Sequence, residues 1–220
     1  MEIDIQKTAD GSQTLFVPSL DEHYHSIKGA LTESQHIFIH MGFQACKCEE
    51  PRILEIGFGT GLNALLTIEE AEKTQRKTHY TSLERFPLSM EIIQQLDYPK
   101  LVQPQTAAFY LPLHQAPWNE WHEITSRFRL KKVECDFTQL TIKEQYDVIY
   151  YDAFAPEKQP EMWTQEIFNQ MYECLATNGI LVTYCAKGVV RRMLQSAGFI
   201  VERLPGPPNG KREILRGKRE

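Results

Sequence analysis

At 220 residues, 42% hydrophobic and 24% charged, the chain has the make-up of one soluble α/β domain with room for a sizeable core, and no apolar run approaches the length of a membrane span. A net charge of -5 gives no global attraction to nucleic acid, and five scattered cysteines make neither a disulfide framework nor a zinc set. The amino terminus lacks the basic and apolar regions of a signal peptide, so the expected compartment is the cytoplasm.

Alternation at Ile3 and Ile5, and again from Thr14 to Val17, is broken by Asp10-Gly11 and predicts an amino-terminal β-hairpin. Apolar spacing of three and four from Gly29 to Ile39 predicts a helix. Residues 1–50 therefore read as a hairpin-and-helix extension packed on a main domain, 51–220. Histidines cluster between 23 and 40 without a cysteine or carboxylate set to make them a metal site, and are expected at the surface or facing a ligand. The main domain opens on a strand, Arg52 to Ile56, that ends in Gly57-Phe58-Gly59-Thr60-Gly61 and passes into an amphipathic helix over 62–72, with Thr60 a candidate cap. Glycine tolerates φ > 0 and lets a ligand approach the main chain, so three at alternate positions in a strand-to-helix turn predict a nucleotide-like ligand lying on it. A second strand, His79 to Leu83, ends in Glu84, where doubly wound folds hydrogen-bond ribose hydroxyls. Pro87 to Leu96 reads as a helix. The Pro- and aromatic-rich stretch 97–123 is too long for an ordinary connection and reads as an insertion with its own packing, a candidate lid.

A strand over 128–133 leads to Asp136-Phe137, a carboxylate able to accept from the exocyclic amine of an adenine beside a ring able to pack on it. The strand from Tyr146 to Tyr151 leads into Asp152-Ala153-Phe154. Open parallel sheets bind ligands at the carboxyl ends of their strands, so Asp152 and Phe154 are expected in the same crevice as Gly57 and Glu84. A helix over 162–175, a turn at Asn178-Gly179, a strand over 180–184, a helix over 189–197 and strands over 198–204 and 212–216 complete a seven-stranded, mostly parallel sheet whose last strand returns antiparallel. Arg127, Arg129, Lys131 and Lys132 form one basic cluster and the carboxy-terminal tail another. Lys187, Arg191, Arg192, Lys211 and Arg212 are candidate phosphate contacts to a nucleic acid.

Dinucleotide sites use G-x-G-x-x-G, but here Leu62 stands where the third glycine would. The run Glu55-x-Gly57-x-Gly59-x-Gly61 instead resembles motif I of the S-adenosylmethionine-dependent methyltransferases, in which an acid at the strand tip can face the ammonium group of the cofactor. That resemblance implies a Rossmann-like class I methyltransferase fold. Glu55, Gly57, Gly59, Gly61, Asn63, Glu84, Asp136, Phe137 and Asp152 become candidate ligands of S-adenosyl-L-methionine.

A longer resemblance rests on Asp152-Ala153-Phe154-Ala155-Pro156 and its continuation to Gln165. With Gly57 to Asn63, Leu83 to Leu88, Val190-Arg191-Arg192, Ala197-Gly198-Phe199 and Gly210 to Glu213, it is similar to the MnmC methyltransferase module, including its stand-alone MnmD form (the DUF752 family), over about residues 11 to 217. The resemblance implies a tRNA methyltransferase acting at the anticodon loop, converting 5-aminomethyl-(2-thio)uridine at the wobble position to its 5-methylaminomethyl form, with neither metal nor membrane. In fused members a flavin-dependent oxidase domain follows and first removes a carboxymethyl group. A chain ending at Glu220 is expected to lack that domain and to start from the aminomethyl base, with a separate oxidase acting upstream. Asp152 is expected to accept a hydrogen bond from the aminomethyl nitrogen and take its proton, with Phe154 packed on the extruded base. Two other readings stand beside this one: methylation of a small-molecule amine, and a non-catalytic tRNA-binding module. Relatives with other residues before the glycines leave the role of Glu55 open.

Overall fold

The computed structural model describes residues 2–139 and 142–220. Its core follows from strict alternation along strands buried on both faces. On β4 (Arg52–Ile56) and β8 (Tyr146–Tyr151), Ile53, Val148 and Tyr150 enter one apolar layer, while Leu54, Ile149 and Tyr151 enter the other.

Before β4 come β1 (Asp4–Lys7), β2 (Gln13–Val17) and β3 (Glu22–His23), an antiparallel three-stranded sheet that extends the expected hairpin by one short strand. Asp10 in its first turn accepts from Ser12 and Thr8 through one oxygen and from Thr32 N and Oγ1 through the other. Burial would raise its pKa, but these donors hold it down at about 2. The turn is thereby tied to α1 (Ala30–Ser34), which runs on as a π-helical stretch, Gln35–Phe43, burying Ile37, Phe38 and Phe43.

After β4 follow α2 (Leu62–Thr74), β5 (Thr78–Glu84), α3 (Met90–Ile93), α4 (Pro104–Ala107), α5 (Tyr110–Gln115), β6 (Trp121–Thr125) and β7 (Phe128–Glu134). Beyond β8 come α6 (Gln165–Cys174), β9 (Leu175–Thr183), α7 (Gly188–Ala197), β10 (Ile200–Pro205) and β11 (Glu213–Lys218). The main sheet has eight strands in the order β10-β11-β9-β8-β4-β5-β7-β6, one more than expected. The added strand, β6, pairs antiparallel with β7 at one edge; at the other, β11 lies antiparallel between β9 and β10, as the sequence suggests.

Two expectations are corrected. The helix over 87–96 shrinks to the four residues of α3. Asn178-Gly179 is not a turn before β9 but a bulge inside it, with Asn178 at φ 63 and a register shift opposite Tyr146 to Val148. The stretch 97–123 packs on the main domain, with Tyr98, Tyr110 and Leu113 buried in the α2-side layer. At about 1.5–3 kcal/mol for each large buried side chain, lifting three of them would cost on the order of 5 kcal/mol or more, comparable to the whole stability of many domains.

Candidate active site

β4, β5, β7 and β8 run parallel and end side by side, so the residues just past each strand are brought to one rim of the sheet. There a cavity of about 870 Å³ is lined by Gly57 and Gly59 after β4, Glu84 at the end of β5, Asp136 after β7 and Asp152 after β8. The glycine turn is hydrogen-bonded into this rim. Gly57 N donates to Leu83 O at 2.9 Å, Asp152 N to Ile56 O at 3.2 Å, and Gly59 N to Glu84 Oε2 at 2.9 Å. Gly57 sits at φ 93, and a Cβ there would lie 3.0 Å from Asp152 O, so only glycine lets the two strand ends close on each other. Phe86 N donates to Glu84 Oε1 at 2.7 Å; each carboxylate oxygen keeps a lone pair for a ligand hydroxyl.

Asp152 is half-buried at the cavity wall. Asn63 Nδ2, at the start of α2, donates to its Oδ2 at 2.8 Å. Burial and then the Glu33 carboxylate push the Asp152 pKa up to about 7, against the opposing pull of Asn63 and Lys211. Phe154, two residues on, packs edge-on against Tyr24 with ring centroids 5.1 Å apart, and its carbonyl accepts from Trp163 Nε1 at 2.8 Å. Across the cavity Asp136 is held ionised. Thr138 donates to Oδ1 through Oγ1 at 2.6 Å and through its backbone N–H at 3.0 Å, and Arg85 stands 3.2 Å from Oδ2. Phe137 is buried behind it.

Of the residues singled out from sequence, Gly57, Gly59, Thr60, Asn63, Glu84, Asp136, Phe137, Asp152, Phe154 and Lys211 line this one cavity. The others stand elsewhere. Glu55 is 1% exposed and points beneath the turn, where Ser82 Oγ donates to it at 2.6 Å. Gly61 faces away, toward His114. Thr60, though it lines the cavity, does not cap α2: Gly61 holds the N-cap position, and the Thr60 hydroxyl is 2.8 Å from His25 Nε2. Lys187 pairs with Glu157, Arg191 and Arg192 lie on α7, and Arg212 lies in the β10–β11 connection. The basic cluster at 127–132 is not a free face, because Arg127 pairs with Glu72, Lys131 with Glu144, and Lys132 is 1% exposed.

Sequence reasoning missed Tyr24, Glu33 and Tyr184, which also line the cavity. The only signal for Glu33 was an acid on the otherwise apolar face of a short helix.

Residues 104–220 match a family described as S-adenosyl-L-methionine-dependent methyltransferase. The chain is 32% identical over 219 residues to the tRNA 5-methylaminomethyl-2-thiouridine biosynthesis bifunctional protein MnmC of Pseudomonas fluorescens, covering 90% of this chain and 32% of that protein. It thus spans about a third of the length of the curated relatives it matches. Among solved structures, MNMC2 from Aquifex aeolicus superposes with a TM-score of 0.83 at 27% identity, covering 98% of this chain and 70% of that one. Spermidine synthase from Thermotoga maritima superposes at 0.66 with 16% identity, covering 99% of this chain and 69% of that one, a likeness of fold alone.

The cavity fits the cofactor that the family uses. Gly57 leaves open a cradle of backbone, Glu84 and Asp136 offer acceptors for hydroxyls and an amine, and the Asp152 carboxyl group adds an acidic wall for a cationic ligand. From fold, family match and site together, the chain belongs to the S-adenosyl-L-methionine-dependent methyltransferases, and S-adenosyl-L-methionine is its cofactor.

Proposed function

We propose that this protein methylates the aminomethyl nitrogen of 5-aminomethyl-(2-thio)uridine at the wobble position of tRNA, in the cytoplasm. The observation that carries the reading is Asp152: a carboxyl group with an elevated pKa, held by Asn63 on the cavity wall beside the glycine turn. The names of the MnmC and MNMC2 relatives support the tRNA substrate. Glu84 would receive the ribose hydroxyls of the cofactor and Asp136 its adenine amine, with Phe137 packed beneath and the Gly57 and Gly59 backbone against the rest.

When bound, the cofactor supplies a methyl group on a positively charged sulfur, which an amine lone pair displaces as the bonding electron pair returns to sulfur. The protein's task is to deliver that lone pair. Asp152 orients the acceptor nitrogen and removes one proton from its ammonium form, and that proton leaves through the open cavity. Phe154, braced by Tyr24, packs against the extruded base. Lys187, Arg191, Arg192 and Arg212, outside the cavity, would contact phosphates of the anticodon loop.

The test is nucleoside mass spectrometry of tRNA lacking the methyl group, after incubation with the protein and S-adenosyl-L-methionine. A gain of about 14 mass units on the aminomethyl nucleoside, one methyl for one hydrogen, is expected. Asp152→Ala should lower turnover by about 10²–10⁴-fold, the usual contribution of a positioned acid–base group, with cofactor affinity within a few-fold. Methylation of free amines but not of tRNA would move the reading to a small-molecule enzyme, and cofactor binding without product would make it a binding module.

A further inference from the structure

The acceptor side of the cavity is built from opposite ends of the chain. Glu33 of α1 is 9% exposed; its Oε2 accepts from Ser26 N at 3.0 Å and its Oε1 lies 3.8 Å from Lys211 Nζ. Lys211, just before β11, places that ammonium 3.6 Å over the ring of Tyr184, whose hydroxyl donates to Ala153 O at 2.9 Å. Glu33, Lys211, Tyr184 and Asp152 all line the same cavity. Lys211 lies beyond hydrogen-bond distance of Glu33 and rests on an aromatic face, so one Glu33 oxygen has a cation near it that is held loosely, through a side chain 45% exposed. A cation is therefore stabilised at this position whether it belongs to the protein or to a ligand.

We infer that Glu33 is a specificity-determining residue for a cationic acceptor: the primary ammonium of the substrate docks between the Glu33 and Asp152 carboxylates and takes the place of Lys211 beside Glu33. The inference rests on the reading of Asp152 as the group that meets an amine. It gives the buried acid a task that a neutral acceptor, such as a hydroxyl or a ring carbon, would not need, and it favours a cationic acceptor over such groups because only a cation gains from the two carboxylates. Lys211 then serves as the resting counter-ion, not as a phosphate contact.

The groups that face Asp152 are Asn63 from α2, Glu33 from α1, Lys211 from the β10–β11 connection, Tyr184 after β9, Glu55 from β4 and Tyr80 from β5. Only Glu33 and Lys211 can be made neutral without touching the strands or the glycine turn. Their effects have opposite signs: the Glu33 charge raises the Asp152 pKa and the Lys211 charge lowers it.

The experiment uses the full chain with Glu33→Gln, which keeps an acceptor for Ser26 N, and Lys211→Met. Carbon-detected NMR of the carboxyl groups follows the Asp152 titration without any acceptor, and methylammonium chloride is the probe for the ammonium site. The Asp152 midpoint should move to lower pH in Glu33→Gln and to higher pH in Lys211→Met. Methylammonium should shift both carboxyl signals in the parent protein and lose that effect at least about ten-fold in Glu33→Gln, equivalent to about 1.4 kcal/mol. In tRNA methylation, Glu33→Gln should raise the acceptor KM about ten-fold more than it lowers kcat, with cofactor affinity unchanged, the pattern of lost binding rather than lost chemistry.

Midpoints that stay put, or move in the same direction, overturn the inference, as does methylammonium that perturbs neither carboxyl group. Should Glu33→Gln fail to fold, the upward shift in Lys211→Met and the methylammonium response of the parent protein decide the matter. If tRNA is never methylated but the midpoints diverge as stated, the proposed substrate is wrong and the ammonium site stands.

Discussion

Glu55 shows how one residue can stand in the right motif and face the wrong way for the role that the motif suggests. Its carboxyl group is buried beneath the glycine turn, Ser82 Oγ donates to Oε2, and Oε1 has no hydrogen-bond partner among the described residues. Burial pushes its pKa from 4.5 to about 8, so it is largely neutral at pH 7. The folded protein therefore holds a proton that the unfolded chain releases between pH 4.5 and about 8. Stability from this group is fully present below the lower value and is lost as pH rises through the upper one, by up to roughly 1.4 kcal/mol per pH unit. Glu55→Gln, an isosteric neutral group, should melt at the same temperature as the parent near pH 4.5 and progressively higher above it, up to pH 8.5. A difference that does not change across a pH series of thermal melts would mean that Glu55 is ionised in the folded protein. Residues at this scale were legible where chain geometry alone sets their direction. Gly57, Glu84 and Asp152 sit at strand tips, and a strand tip in a parallel sheet has only one crevice to face. Glu55 lies one residue inside the strand, where alternation decides its direction, and Glu33 lies on a helix, where an acid aimed at a cavity and an acid in water look alike.

At the scale of elements, the glycine turn depends on a segment that in sequence looks separable from it. Tyr110 of α5 donates to Thr60 O at 3.1 Å, His114 Nε2 stands 3.2 Å from the same oxygen, and Lys132 of β7 donates to His114 O at 2.6 Å. The 98–116 segment thus props the cofactor turn from behind. Gly61 marks the contact: it has φ 71, and a Cβ there would stand 2.7 Å from His114 Nε2. The imidazole cannot swing clear, being packed between Phe58 at 5.2 Å and Tyr110 at 5.0 Å. Gly61→Ala should therefore destabilise by about 2–4 kcal/mol, part from left-handed backbone and part from the clash. Urea denaturation should show that adding His114→Ala to Gly61→Ala costs less than His114→Ala costs alone, because the clash is then relieved. Full additivity would place the cost entirely in the backbone. The alternating strands and the long helix α2 were readable from period. The short pieces α4 and α5 were not, because four to six residues complete at most two helical turns and carry no periodic signature, and for the same reason α3 was read too long. β6 escaped notice as an edge strand of mostly exposed residues, Trp121-His122-Glu123, with no apolar alternation to mark it.

For the molecule as a whole, the same turn links catalysis to acid stability. His25 lies just past β3 of the small amino-terminal sheet and His114 in the 98–116 segment, and both meet at Thr60. Burial depresses the first to about pH 4; burial, then Lys132, depresses the second to about pH 3, although the Thr60 carbonyl pulls the other way. Both are neutral in the folded protein, while in the unfolded chain each takes up a proton below pH 6.5. Their contribution to stability is therefore complete above pH 6.5 and is lost as pH falls toward 4, by up to about 1.4 kcal/mol per pH unit for each. Set against the losses from Glu55 and Asp152, whose pKa values are both raised, this predicts a stability that is nearly level between about pH 4.5 and 6.5 and falls off on either side. Because both histidines brace the cofactor turn, the first structure to loosen on the acid side should be the turn itself. Hydrogen exchange between pH 7 and 5 should show faster opening, after correction for intrinsic rate, at the amides of residues 58–62 than at those of β10 and β11, which lie at the far edge of the sheet. S-adenosyl-L-methionine should reverse that change, since a ligand that binds only the closed turn draws the equilibrium toward it in proportion to its concentration over Kd. Uniform opening across the sheet, or no protection by the cofactor, would separate acid stability from the site and leave the two histidines as ordinary members of the core.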